Sequence, residues 1–124
     1  MDEYTQKVID HAENPRNFGS LDKPDGVGRV ESQCGDWVQM EIKLGEKGMV
    51  ADAKFQCWGC ANALATSSVI TEMAIGKNLE DLEKITTADV IAYLGGVPQH
   101  KTHCSELSVG AFQEAIKSCI RQEA

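Results

Sequence analysis

The stretch VQMEIKLGEKGMVADAKFQC, residues 38–57, predicts a β-hairpin and with it the fold class of this chain. In its first half, apolar and polar side chains alternate, which is typical of a strand with one buried face. The apolar positions are Val38, Met40, Ile42 and Leu44. Residues 45–48 contain two glycines and predict a turn, after which a return strand runs from Met49 to about Cys57. The alternation predicts that the buried face of this second strand consists of Ala51, Ala53, Phe55 and Cys57.

Weaker patterns supply the remaining elements. A loop with glycine, aspartate and proline extends to about Gly28, and residues 29–34 then form a third strand. An amphipathic helix over residues 3–13 ends at Asn14 and Pro15. Further helices are predicted over residues 61–75, 79–84, 86–94 and 105–122. In this order the strands come first and most of the helices follow. The order predicts an α+β fold, with a small antiparallel three-stranded sheet and helices packed on one face.

Length and charge limit the classes of function. The 124 residues fit a single domain, residues 1–124. With 12 basic and 19 acidic residues the net charge is -7, which argues against nucleic acid or an anionic membrane as a partner. There is no apolar run near about 18 residues, and the N-terminus is too polar for a signal peptide. We therefore expect a cytoplasmic protein that works with proteins or cations.

Two of the five cysteines are predicted to be packing residues. Cys119 completes the apolar stripe of the last helix, and Cys57 extends the buried face of the return strand. A cysteine at such a position behaves as a small buried hydrophobic residue.

The other three cysteines, Cys34, Cys60 and Cys104, stand at the ends of predicted elements. Cys60 and Cys104 lie at helix starts, where unpaired N–H groups and the helix dipole favour thiolates. Asp36 and His103 add further donors, although a turn carboxylate and a loop histidine are equally consistent with the sequence. The separations, 25 residues between the first two cysteines and 43 between the last two, match no compact zinc finger. Thiolates suit zinc, copper(I) or iron–sulfur clusters, and a carboxylate or imidazole makes the ligand set more exchangeable.

The order of motifs along the chain resembles the iron–sulfur cluster assembly scaffolds of the IscU family and the N-terminal domain of NifU. The motifs are YTQKVIDHAENPRNFGSLD at 4–22, CGD at 34–36, GC at 59–60, SS at 67–68 and HCS at 103–105. They cover essentially the whole chain. The segment LGGVPQHKTHCS, residues 94–105, is closer to the NifU form than to the bacterial IscU form.

The resemblance implies a scaffold, not an enzyme. A [2Fe-2S] cluster would be assembled from iron and from sulfur delivered by a cysteine desulfurase, and transferred to apo iron–sulfur proteins. Cys104 matches the family's persulfide acceptor and is expected on an exposed, movable loop. Cys34, Cys60 and Cys104 are implied as ligands; the fourth is Asp36, which the family associates with cluster release, or His103. Zinc can occupy the cluster-free site, and the working form is a monomer or a homodimer.

Two departures from the family pattern matter. Bacterial IscU proteins carry LPPVK, which an Hsp70-type chaperone recognises, where this chain has GVPQHK at residues 96–101. We therefore do not expect release by that route. The chain also ends at Ala124, so we expect a stand-alone scaffold without the additional domains of full-length NifU.

Two other classes of function compete with the scaffold. A zinc enzyme would use Cys34, Cys60 and Cys104, although no HxE or HExxH motif supplies a general base near these ligands. A dithiol oxidoreductase would use Cys57 and Cys60, although the strand period turns Cys57 inward and no βαβ pattern surrounds the pair.

Overall fold

The computed structural model of the protein describes residues 4–33, 35–99 and 102–123. Its helices and strands follow the predicted order. They are α1 (Gln6–Glu13), β1 (Gly26–Glu31), β2 (Trp37–Leu44), β3 (Val50–Trp58), α2 (Ala61–Ala74), α3 (Leu79–Leu82), α4 (Thr87–Tyr93) and α5 (Thr102–Glu123), with a 3-10 turn, Glu46–Gly48, between β2 and β3.

The three strands form one antiparallel sheet in the order β1-β2-β3. In the central hairpin Met40 pairs with Phe55 and Ile42 with Ala53, and all four side chains are buried. Helix α5 packs on β1 and β2, α2 packs on β3 and α5, and α1 packs on α2. The predicted α+β fold, with helices on one face of the sheet, is confirmed.

The buried face predicted for β3 was wrong at its first residue. Ala51 is exposed, whereas Val50 is buried. The register shifts between Lys43 and Leu44, so that Leu44 pairs with Val50. Such a β-bulge changes which residues point inward, and strict alternation does not anticipate it.

The first strand begins earlier than predicted. Residues 26–28, assigned to a loop because they contain glycines, belong to β1 and pair with β2. A Cβ at Gly28 would lie 2.2 Å from the carbonyl oxygen of Ala111, and one at Gly26 would lie 2.4 Å from Cys119 Sγ. The glycines therefore let α5 lie directly on the strand. Because glycines are also common in loops, the sequence pattern did not reveal this packing role.

Most helix limits agree with the predictions. Asn78 caps α3, and Thr86 with Asp89 forms a capping box at the start of α4. Helix α5 differs, since it begins at Thr102 and so includes residues 103 and 104, which were predicted to precede it. Within residues 4–33, 35–99 and 102–123, none of the helices combines the length and apolar composition needed to cross a membrane.

Candidate functional site

Two of the three element-end cysteines meet at one end of the molecule. Cys60 is the N-cap residue of α2, and Cys104 lies in the first turn of α5. The Cys60 thiol points at Cys104 Sγ, and the two sulfur atoms are 2.9 Å apart. These residues are distant in sequence, and the packing of α2 against α5 brings them together.

The burial of Cys104 corrects one prediction. The residue was expected on an exposed, movable loop, but only 3% of its surface is exposed, and it lies within the helix. Cys60 is half-buried and is therefore the more accessible thiol of the pair. The prediction failed because α5 begins before His103, which turns Cys104 towards α2.

His103 remains at the surface beside this pair. Its side chain is exposed, and its Nε2 lies 3.5 Å from Cys104 Sγ. The imidazole can therefore exchange a proton with the thiol, or supply a nitrogen ligand next to it.

Asp36 lies next to Gly59, the residue that precedes Cys60. Its backbone carbonyl accepts a hydrogen bond of 2.7 Å from Ser32 N–H, in a turn where Gly35 has a φ of 96°. A Cβ placed on Gly59 would lie 3.3 Å from Asp36 Oδ2, so the carboxylate faces the residue that precedes Cys60. Asp36 is half-buried.

Cys57 belongs to the sheet, as predicted, and packs against the hydrophobic core. Burial raises the pKa of its thiol to about 11, and the nearby Cys60 and Asp36 add to the shift. At neutral pH Cys57 is therefore a protonated thiol, which is a poor nucleophile and a poor metal ligand. This disfavours an oxidoreductase that uses Cys57 with Cys60. Cys119 is fully buried in the core, as its helical stripe predicted.

Several positions used in the sequence analysis lie outside the described residues. They are Cys34, residues 100 and 101 of the GVPQHK segment, Ala124, and residue 3 of the predicted first helix. The predicted site residues that the structure describes are Asp36, Cys60, His103 and Cys104.

In the described arrangement the two thiols are too close to bind one metal ion together. Thiolates at about 2.3 Å from a tetrahedral ion are about 3.8 Å apart, so the sulfurs must separate by about 1 Å. Among the residues that the structure describes, no group of three or more His, Cys, Asp or Glu side chains is arranged to hold a metal ion. The two sulfurs would have to move apart for both to bind the same ion.

A buried polar seam, not anticipated from the sequence, joins the two helices behind the cysteines. Asn62 Nδ2 donates to Ser105 Oγ at 3.2 Å, and Thr66 Oγ1 lies 3.1 Å from the same oxygen. One turn further along, Ser67 donates to Ser108 Oγ at 2.8 Å. These side chains are buried, and their hydrogen bonds fix the helices against each other. A small polar residue every three or four positions on both helices was the available signal.

A second polar cluster attaches the N-terminal segment to α2. Ser68 Oγ lies 2.8 Å from His11 Nδ1 and accepts a hydrogen bond of 2.8 Å from Arg16 N–H. His11 Nε2 faces Glu72 Oε1 at 3.3 Å, so the neutral tautomer protonated on Nε2 satisfies both ring nitrogens. Burial lowers the His11 pKa, and Arg16 lowers it further, while Glu72 opposes the shift.

Asn17 continues this attachment. It adopts a φ of 64°, and its carbonyl accepts a hydrogen bond of 3.0 Å from Phe55 N–H. The NPRNFG motif and Ser68 therefore hold α1 and the following loop against the core.

The largest exposed aromatic side chain near the site is Trp58, which is 71% exposed. It is the last residue of β3 and pairs with Trp37. Its ring stands at the surface two residues from Cys60.

Comparison with known proteins places these observations in a family. Residues 3–124 match the family model described as the NifU-like N-terminal domain. The chain is 47% identical over 120 residues to the iron–sulfur cluster assembly scaffold protein IscU 1 of Archaeoglobus fulgidus, covering 96% of this chain and 78% of that protein. It is 43% identical over 117 residues to IscU of Escherichia coli K12, covering 91% of each.

Comparison of the fold with solved structures also finds NifU-like proteins. The crystal structure of a nitrogen-fixing NifU-like protein (N-terminal) from Brucella abortus superimposes with a TM-score of 0.78 at 25% identity, covering 97% of this chain and 96% of that one. With the family model matched over almost the whole sequence, the chain belongs to the family of NifU-like N-terminal domains.

Proposed function

We propose that this protein is a scaffold on which an iron–sulfur cluster is assembled and from which it is transferred to apo-proteins. The observation that carries the proposal is the convergence of Cys60 and Cys104, whose sulfur atoms lie 2.9 Å apart. Curated relatives with 43–47% identity are named iron–sulfur cluster assembly scaffold proteins, which supports the same function here.

The cargo is a [2Fe-2S] cluster with Cys34, Cys60 and Cys104 as its thiolate ligands. Asp36 is the fourth ligand and His103 the alternate. The half-buried carboxylate of Asp36 faces Gly59 next to the cysteine pair, which supports this choice. An oxygen ligand matches cluster iron less well than a thiolate, so Asp36 also assists release.

Sulfur reaches the site as a persulfide delivered by a cysteine desulfurase, and Cys104 is the acceptor. Because Cys104 is 3% exposed, the first turn of α5 must move away from α2 when sulfur is delivered. The same movement separates the two sulfurs enough to bind metal. His103, exposed and 3.5 Å from the acceptor sulfur, takes the thiol proton as Cys104 becomes nucleophilic.

The protein acts as a carrier and releases what it has assembled, so it is not an enzyme. Zinc binds the same donors when the cluster is absent, because thiolates and imidazole suit Zn²⁺. We assign the working compartment to the cytoplasm.

The test is anaerobic reconstitution with ferrous iron, L-cysteine and a cysteine desulfurase, followed by visible absorption spectroscopy. We expect a [2Fe-2S] chromophore in the wild type, and its loss in Cys34→Ala, Cys60→Ala and Cys104→Ala. The matched controls Cys57→Ala and Cys119→Ala should retain it.

Two outcomes would contradict the proposal. A colourless protein that binds only zinc would not be a scaffold. A cluster lost in Cys57→Ala but kept in Cys60→Ala would overturn the ligand assignment.

A further inference from the structure

The proposed function leaves one chemical step without an assigned residue. Sulfur delivered as a persulfide is sulfane sulfur, whereas the bridging atoms of a cluster are sulfide. Each sulfur atom must therefore gain two electrons on the scaffold. A neighbouring thiol can supply them by forming a disulfide.

From the contact between the two sulfurs we infer that Cys60 is the resolving thiol, which attacks the Cys104 persulfide and frees sulfide. This inference rests on the proposed function, because it takes the Cys104 persulfide as its starting point. It gives Cys60 a chemical role that is separate from binding the finished cluster.

The step balances in atoms and electrons. Cys60 Sγ attacks Cys104 Sγ, the bond between Cys104 Sγ and the outer sulfur breaks, and a Cys60–Cys104 disulfide forms. The outer sulfur leaves as HS⁻ and, with the proton of the Cys60 thiol, becomes H₂S. The sulfane sulfur is reduced by two electrons, and the two cysteine sulfurs together are oxidised by two.

The geometry of the pair suits this attack. The sulfur atoms are already 2.9 Å apart, and a disulfide bond of about 2.05 Å requires them to approach by only about 0.9 Å. The seam from Asn62 and Thr66 to Ser105 holds the two helix starts in this relation. A resolving thiol must lie this close because exchange needs direct contact between sulfurs.

Cys57, three residues from Cys60, is the nearest alternative among the described cysteines. It lies in β3, packs on the core and is a protonated thiol at neutral pH, whereas Cys60 caps α2 and points at Cys104. We therefore assign the attack to Cys60.

The disulfide must be reduced before a cluster can be held, because both of its sulfurs are needed as ligands. A dithiol protein of the thioredoxin class supplies this second pair of electrons by thiol–disulfide exchange. Sulfide release and cluster binding are therefore successive states of the same two cysteines.

The test uses the reduced, metal-free full chain under anaerobic conditions. Glutathione persulfide serves as the sulfur donor and is removed by rapid desalting. We expect the wild type to release sulfide without added reductant and to lose two hydrogens in intact mass, with a peptide that links Cys60 to Cys104. In Cys60→Ser the extra sulfur atom should stay on Cys104, and sulfide release should fall about tenfold or more until dithiothreitol is added.

Serine is a favoured N-cap, so Cys60→Ser keeps the start of α2 intact. Cys57→Ser is the matched control and should release sulfide as the wild type does. Sulfide release at the wild-type rate from Cys60→Ser would overturn the inference. A disulfide mapped to any other pair, or a wild type that keeps its persulfide or takes up no sulfur, would also overturn it.

The outcome is separable from that of the proposed function, because the donor bypasses the desulfurase and no cluster is formed. If the wild type assembles a cluster but Cys60→Ser still frees sulfide, only the inference fails. If sulfide is released with the expected disulfide but no cluster assembles, the scaffold proposal fails and the resolving step stands.

Discussion

Asn62 Nδ2 donates a hydrogen bond to Ser105 Oγ at 3.2 Å, two residues beyond Cys60 and one beyond Cys104. The bond is buried and joins α2 to α5 where each helix begins. It therefore fixes the spacing of the two cysteines as well as the packing of the helices.

Replacing Ser105 with alanine should loosen this junction. The change removes the acceptor of Asn62 Nδ2 and the partner of Thr66 Oγ1, both in the interior. We expect the free energy of unfolding to fall by about 1–3 kcal/mol, measured by urea denaturation. Ser118→Ala, at a half-buried position on the same helix, should stay within about 0.5 kcal/mol of the wild type. Equal losses in both variants would mean that the seam adds no stability.

Replacing Gly28 with alanine should prevent α5 from lying on β1. The added Cβ would come within 2.2 Å of Ala111 O and 2.3 Å of Ala115 N, which are backbone atoms. We expect a loss of about 3 kcal/mol or more in the free energy of unfolding, measured by thermal or urea denaturation.

Gly110→Ala is the matched control for that prediction. Gly110 lies in α5, and its Cβ would contact Val30 Cγ2 at an ordinary 3.6 Å. We expect a gain of up to about 1 kcal/mol, because alanine is the better helix former. A stable Gly28→Ala protein would contradict the close packing described here.

Acid should destabilise the protein through His11. Because burial lowers the His11 pKa in the folded state, the unfolded chain binds a proton more readily as the pH falls. The stability contributed by the neutral ring is present above pH 6.5, the ordinary value, and is lost as the pH falls through the folded pKa. Urea denaturation between pH 7.5 and 5 should show this decline, and His11→Gln should flatten it.

Glu72→Gln tests the sign of this effect. The Glu72 carboxylate favours the charged imidazole, so its removal should lower the His11 pKa further and steepen the loss of stability in acid. A shallower decline would show that His11 is not the responsible group.

Cys57 should resist alkylation. Its pKa is raised from 9.0 to about 11, first by burial and then by Cys60 and Asp36. At pH 8 the thiolate fraction, and with it the rate of reaction with iodoacetamide, should be about a hundredfold below that of an unshifted cysteine. Peptide mass spectrometry after timed labelling measures this rate. Asp36→Asn should speed the reaction, and an unchanged rate would remove Asp36 as a contributor.

Asp36→Ala should slow cluster release. If the carboxylate is the exchangeable ligand, its loss removes the exit route, and transfer to apo-ferredoxin should become several-fold slower. Circular dichroism of the acceptor follows the transfer. Asp52→Ala is the matched control, since Asp52 lies near the start of β3, whereas Cys60 follows the end of that strand. Transfer at the wild-type rate in Asp36→Ala would exclude the release role.

The sequence by itself determined the fold class and the packing roles of Cys57 and Cys119. The alternation at residues 38–44 and the turn after it require a hairpin, because a period of two can bury only one face of a strand. The apolar stripe that contains Cys119 requires that this face of the last helix be buried. These features are local, and therefore readable from spacing.

Only the tertiary structure decided how Cys60 and Cys104 are related. Their 2.9 Å separation arises from the packing of α2 on α5, where Asn62 and Thr66 meet Ser105. The burial of Cys104 likewise depends on where α5 begins. Distances between segments far apart in sequence follow from the shapes of the packed surfaces, which the spacing of residues along one chain does not encode.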